Sequence, residues 1–254
     1  MKLGIVQGRL LEPINNTVQS FPLENWKKEL SLLESLDLLG VEWLLTSEVY
    51  ENNPIFDESF NYFDSIISVC LDNLITKSIH NEDYISNIFE KVCSVNGIKN
   101  INIPILEESS MENDENRAKF IDTVKKCSER FPEKKFMFEA ELNLNSYLEI
   151  VDSSHNFFVT YDTGNLTSYG ANHSEYILQF KNKIKYVHIK DKTHNGISKD
   201  LFSGDTDFEE IIYALKKIEF NGYFILQLAR SETGNEFETI KKQVEQLKTL
   251  YDRY

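Results

Sequence analysis

The chain has 254 residues, 41% of them hydrophobic and 27% charged, enough for one large domain with a sizeable core and too apolar for disorder. Its net charge of −14 argues against nonspecific attraction to nucleic acid or to an anionic membrane surface. No apolar run approaches a membrane span, and "MKLGIVQGRL" at the start lacks a signal-peptide core, so a cytoplasmic protein is expected.

Short apolar runs recur along the chain at 3–8, 40–45, 66–72, 100–106, 135–142, 157–163, 184–190 and 222–229, each reading as a buried strand. Amphipathic helical patterns occupy most gaps, for instance at 23–36, 117–131 and 207–218. Asp207 is placed to cap the third of these, and Asn221-Gly222 to end it. The interval 46–65 is the least regular, with room only for a short helix. No Pro/Gly/Ser-rich linker divides the chain, so 1–254 reads as one domain. Eight strands alternating with helices fit a (β/α)8 barrel, an α/β TIM fold, better than an open doubly wound sheet, because no Gly-rich dinucleotide or phosphate loop follows a strand. Cys70, Cys93 and Cys127 are widely spaced and form no CxxC pair, so they read as free, buried thiols of a reducing compartment.

Barrel active sites form at the C-terminal strand ends. Period-two alternation then turns Gln7 and Arg9 of the first strand inward, with Glu42 of the second and Cys70 and Asp72 of the third. The later strands add Glu139 and Glu141, Asp162, His188 and Lys190, and finally Gln227. In "YVHIKDK" (186–192) an imidazole and an ammonium share one face of a core strand, a costly arrangement unless something there uses them. Two carboxylates, an imidazole and an amide oxygen from four consecutive strands make a seat for one divalent cation, Mn²⁺, Mg²⁺, Co²⁺ or Zn²⁺, and the mixed donor set does not select among them. Arg9 and Arg230, on adjoining strands, are placed to fork a phosphate or carboxylate. His80, His155 and His173 carry no assigned role, and His194 only a place at the rim. Trp26 and Trp43 read as packing residues.

The ordered motifs "QGRL" (7–10), "FPLENW" (21–26), "GVEWL" (40–44), "FEAEL" (138–142), "YDTGN" (161–165), "VHIKD" (187–191), "GDTDF" (204–208) and "FILQLAR" (224–230) resemble the sugar phosphate isomerase/epimerase group of the xylose isomerase-like TIM barrels. The resemblance spans the chain and implies a metal-dependent isomerase or epimerase of a small sugar, sugar phosphate or polyol, working alone or as a homo-oligomer. It implies that Glu139, Asp162 and His188 are the first three metal ligands and that Glu139 also carries a proton through an enediolate. Epimerases of that superfamily place a glutamate, both ligand and second base, where this sequence has Gln227. A carboxamide cannot take that proton, so Lys190, a water or the substrate's own hydroxyl would carry it; Gln7, Arg9, Glu42, Asp72, Glu141 and Arg230 are the expected substrate contacts. The alternatives are a single-base lyase or dehydratase on a polyol or keto-sugar, and a sugar-binding protein that has lost turnover.

Overall fold

The computed structural model describes the chain except for residues 73, 75–80, 107–110 and 232–233, so His80 lies outside the described residues. Strands form at all eight expected runs: β1 (Leu3–Val6), β2 (Val41–Leu44), β3 (Ile66–Cys70), β4 (Asn100–Ile105), β5 (Lys135–Ala140), β6 (Phe157–Asp162), β7 (Ile184–Ile189) and β10 (Tyr223–Leu226). They close into a barrel in the order β1-β10-β7-β6-β5-β4-β3-β2. A two-stranded hairpin, β8 (Asp191–Lys192) with β9 (Ser198–Lys199), follows β7 and has no signature in the hydrophobic pattern. The strand interiors are buried almost throughout, as expected where both faces of a parallel sheet are covered.

The chain divides into two compact units. In the first, Met1–Glu42 with Tyr161–Tyr254, β1 pairs in parallel with β10 (Ile5 beside Leu226) and with β2 (Val6 beside Glu42), and β10 pairs with β7 (Ile225 beside His188). In the second, Trp43–Thr160, β3, β4, β5 and β6 pair in turn. Phe136, Phe138 and Phe157 stack edge to face in this second core, the last two with centroids 5.0 Å apart.

The helices are α1 (Trp26–Leu32), α2 (Glu82–Cys93), α3 (Asp114–Arg130), α4 (Leu144–Asp152), α5 (Thr163–Ser168), α6 (His173–Phe180), α7 (Phe208–Lys217) and α8 (Glu236–Tyr251). From α2 to α8 each begins on an Asn or Asp whose side chain accepts a backbone N–H three residues on: Asn81, Asn113, Asn143, Asp162, Asn172, Asp207 and Asn235. Each such cap is worth about 1 kcal/mol. The expected cap at Asp207 is present, but α7 stops earlier than Asn221-Gly222, at Ile218, with Glu219 in the left-handed region at φ 55°. Gly222 answers a different need: a Cβ there would stand 2.2 Å from the Lys185 carbonyl oxygen. The interval 46–65 holds no α-helix, only 3-10 turns at Pro54–Phe56 and Phe63–Ser65. Trp26 and Trp43 are buried as expected, and Trp43 Nε1 donates to Asn53 Oδ1 at 2.9 Å. No helix among the described residues is long and apolar enough to cross a membrane.

The turn after β1 is held by one buried carboxylate. Gly8 adopts φ 85°, and a Cβ there would meet the Ser20 carbonyl oxygen at 2.4 Å, so only glycine fits. From α1, Glu29 accepts the Gly8 N–H at 2.8 Å and the Leu10 N–H at 3.1 Å. Burial pushes its carboxyl up to about 7, against the pull of those two N–H groups and of Arg230 and Arg9. A folded-state value raised above the unfolded one adds stability that is fully present below the unfolded value of 4.5 and lost as pH rises through about 7. Chemical denaturation of wild type and Glu29→Gln at pH 5 and pH 8 should therefore show their stability difference changing by about 2–3 kcal/mol, wild type being relatively stronger at pH 5. A difference independent of pH would mean that Glu29 is ionised in both states.

Candidate metal and substrate site

Lys190 and His188 come from the end of β7, where alternation puts both on one face, and Asp162 is the last residue of β6. Asp162 serves two purposes. Its Oδ1 accepts the Asn165 N–H at 2.7 Å and caps α5. Its Oδ2 is buried, accepts no hydrogen bond among the described residues, and stands 3.6 Å from Lys190 Nζ. Burial opposes ionisation of this carboxyl, yet the positive field of Lys190, with His188 and the Asn165 N–H, holds it below the usual aspartate range. A buried carboxylate oxygen without a donor, facing inward beside an imidazole, is suited to a cation.

Glu139, fifth of the six residues in β5, completes the group. Glu139, Asp162 and His188 are all buried and each offers one ligand atom, these atoms lying within 4.8 Å of one another. The donor set of two hard oxygens and one imidazole nitrogen fits a divalent first-row metal or Mg²⁺. His188 has a second carboxylate close by: Glu42 Oε1 stands 3.1 Å from its Nε2, and both side chains are only 1% exposed. Carboxylates in that relation orient a ligand imidazole and choose its tautomer. Glu42, expected to touch substrate, thus lies against His188.

Gln227, just beyond β10, turns its amide oxygen to Lys190 Nζ at 3.0 Å and its Nε2 to Gln19 Oε1 at 3.4 Å. The oxygen expected to serve a metal serves the ammonium in this arrangement. Gln7 is fully buried, and its backbone N–H donates to the Glu42 carbonyl. Asp72 and Glu141 are half-buried just past the ends of β3 and β5.

The two arginines differ from expectation in what they hold. Arg230 donates through Nε to Val18 O at 3.0 Å and through Nη1 to Gly8 O and Leu11 O at 2.9 and 3.0 Å. Arg9, 3% exposed, donates to Leu228 O and Gln19 Oε1. These bonds stitch the loop after β1 to the chain following β10. The guanidinium fork sits on carbonyl oxygens here, so the arginines' observed bonds are structural ones.

Several supporting residues escaped the sequence reading. Thr163 Oγ1 accepts the Lys190 N–H at 3.0 Å and donates to Lys190 O at 2.6 Å, pinning the strand end that carries the lysine. Gly164 lets that lysine lie flat, since a Cβ there would stand 2.9 Å from its Cγ. Asn165 accepts from Lys192 Nζ at 2.6 Å. Asp191 takes the Ser203, Gly204 and Thr206 N–H groups and so anchors the "GDTDF" loop. The period-two recurrence of Lys190 and Lys192 was the available clue to the Asn165 contact. His173, given no role, is buried between the Tyr161 hydroxyl at 2.6 Å and Thr167 Oγ1 at 3.1 Å, and burial holds its pKa down. His194, the rim candidate, faces the Thr167 carbonyl oxygen through Nδ1 at 3.3 Å.

Residues 91–250 match the xylose isomerase-like TIM barrel family. The chain belongs to that family. Solved structures agree on the fold of this xylose isomerase-like barrel. The IolI protein, solved with a zinc atom bound, superposes with a TM-score of 0.71 at 19% identity, covering 100% of this chain and 99% of its own. The 3-keto-D-glucoside 4-epimerase YcjR of E. coli gives 0.69 at 17% identity, with 98% and 99% covered. The probable 3-DHS dehydratase AsbF of Bacillus anthracis gives 0.66 at 14%, again with 98% and 99% covered. No curated protein matches the sequence.

Proposed function

We propose that this xylose isomerase-like barrel is a metal-dependent isomerase or epimerase of a small sugar or sugar phosphate, acting within a single (β/α)8 domain. One observation carries the reading: three buried ligand residues converge, and one of them, Asp162, keeps an oxygen without a hydrogen-bond donor beside Lys190. A divalent ion bound there would polarise a substrate carbonyl and favour an enediolate. Zinc in the IolI structure and magnesium in a Mycobacterium smegmatis relative support such an ion without choosing its identity.

The remaining work falls to the chain's own groups. Glu139 moves the proton on its face of the substrate, the assignment that the family resemblance suggests. Glu42 holds His188 in place. Lys190, held by Gln227 and Asp162, presents an ammonium that stabilises a developing oxyanion or returns a proton. Gln227 serves as the acceptor that orients Lys190, which leaves three ligand residues and not four. Asp72 and Glu141, at the strand ends, are the proposed contacts for substrate hydroxyls.

One observation favours a second reading. Because Gln227 cannot accept a proton and is engaged by Lys190, a dehydratase or lyase with one carboxylate base also suits the site, and the probable 3-DHS dehydratase AsbF has this fold. Incubation of the metal-supplemented protein with ketoses and ketose phosphates in deuterated water separates the two. An isomerase or epimerase will place solvent deuterium on a carbon next to the carbonyl of a recovered sugar. Elimination without exchange into recovered substrate would favour the dehydratase, and neither reaction with any substrate, despite bound metal, would overturn the enzymatic reading.

A further inference from the structure

The three cysteines are free and buried as expected, and two of them are in contact. Cys93, the last residue of α2, and Cys127, in the last turn of α3, place their Sγ atoms 3.7 Å apart in the core of the unit Trp43–Thr160. A disulfide needs about 2.05 Å, so the sulfurs must approach by about 1.7 Å from the 3.7 Å observed. The third cysteine, Cys70, lies on β3 and faces the Asn102 amide at 3.8 Å.

We propose that Cys93 and Cys127 form a redox-sensitive pair that closes to an intramolecular disulfide when a peroxide oxidises Cys127, a modification site separate from the metal cluster. The two sulfurs are unequal. The contact between the two thiols holds that of Cys127 below its usual range despite burial, while the same contact and burial push the Cys93 thiol up. Cys127 is also the more open of the two, at 5% against 1% exposure, and Arg130 lies near it. It is therefore the attacking atom. The Cys127 thiolate takes one peroxide oxygen as the O–O bond breaks, giving a sulfenic acid and a hydroxide that is protonated to water. Cys93 then attacks that sulfur, its proton leaving with the sulfenic oxygen as a second water. Two thiols lose two electrons, and one peroxide becomes two waters. The product clips the C-terminal ends of α2 and α3, the helices that lead into β4 and β5.

The test uses the full chain and dilute hydrogen peroxide. Thiol titration in denaturant should fall from the three cysteines of the sequence to one. Peptide mapping should find Cys93 joined to Cys127 and Cys70 still reduced. The oxidised protein should melt about 5 °C or more above the reduced one, as expected for a loop of this length. In Cys93→Ser a dimedone probe should trap the Cys127 sulfenic acid. Three remaining thiols, a disulfide through Cys70, or Cys127 driven to sulfinic acid with Cys93 still free in wild type would each overturn the proposal. The wild-type peptide map decides the matter even if the serine variant fails to fold.

Discussion

Replacing His188 with Ala should weaken the binding of a divalent metal by about a thousandfold or more, well beyond the 10–100-fold that removing an outer-shell partner costs. The expectation follows from how few donors converge: with one of three gone, two carboxylates in a buried cluster keep their mutual repulsion and lose the imidazole nitrogen beside them. Asp162 needs a more careful substitution, because alanine would also remove the cap of α5, worth about 1 kcal/mol. Asp162→Asn keeps an oxygen for the Asn165 N–H while removing the charge, so its effect on metal affinity reads the site and not the helix. Isothermal titration with Zn²⁺ and Mn²⁺, alongside thermal melting of the metal-free proteins, separates the two contributions. Wild-type affinity in both His188→Ala and Asp162→Asn would remove this cluster from the function.

Gln227→Glu should raise proton exchange at the substrate carbon by roughly a hundredfold or more if the site is an epimerase lacking a second base. The substitution is nearly isosteric and adds one negative charge. It places that charge where Lys190 Nζ now donates to the amide oxygen at 3.0 Å, and Lys190 in turn lies 3.6 Å from Asp162. The added charge should also tighten metal retention. Solvent deuterium incorporated into a ketose measures the exchange, and wild type should exchange from one face only. Exchange from both faces in wild type, with turnover lost in Gln227→Glu, would show that the amide is a working part of a different mechanism. Lys190→Met supplies the companion measurement: it leaves Gln227 without its donor and should lower turnover while metal affinity stays within a few fold.

Much of this was readable from residue order because burial writes a strong pattern. Eight apolar runs, most with a polar residue towards the end, are what a barrel requires when its strand ends carry chemistry, and Glu139, Asp162 and His188 stood out on that ground. Alternation gives the face a side chain occupies, but not the group it meets there. Arg9 and Arg230 were placed on strands that do adjoin, yet apart from Gln19 Oε1 their hydrogen-bond partners given above are backbone carbonyl oxygens, which are the same in every residue and leave no trace in sequence. Glu29 looked like any charge on an amphipathic helix, and only the left-handed turn at Gly8 aims two N–H groups at it. The Cys93–Cys127 contact depends on how α2 packs on α3, a relation spanning 34 positions that no local period encodes.

Asp162 joins a strand, a helix and the ligand cluster through two oxygens of one carboxyl group. With Oδ1 held by the Asn165 N–H, Oδ2 is the oxygen left over for a cation, and the first turn of α5 fixes how the carboxyl group is turned. The reverse also holds: a cation drawing charge toward Oδ2 leaves less on Oδ1, and the first turn of α5 feels the change through a single amide. That amide would be a built-in gauge of occupancy, readable by its proton's chemical shift without any substrate.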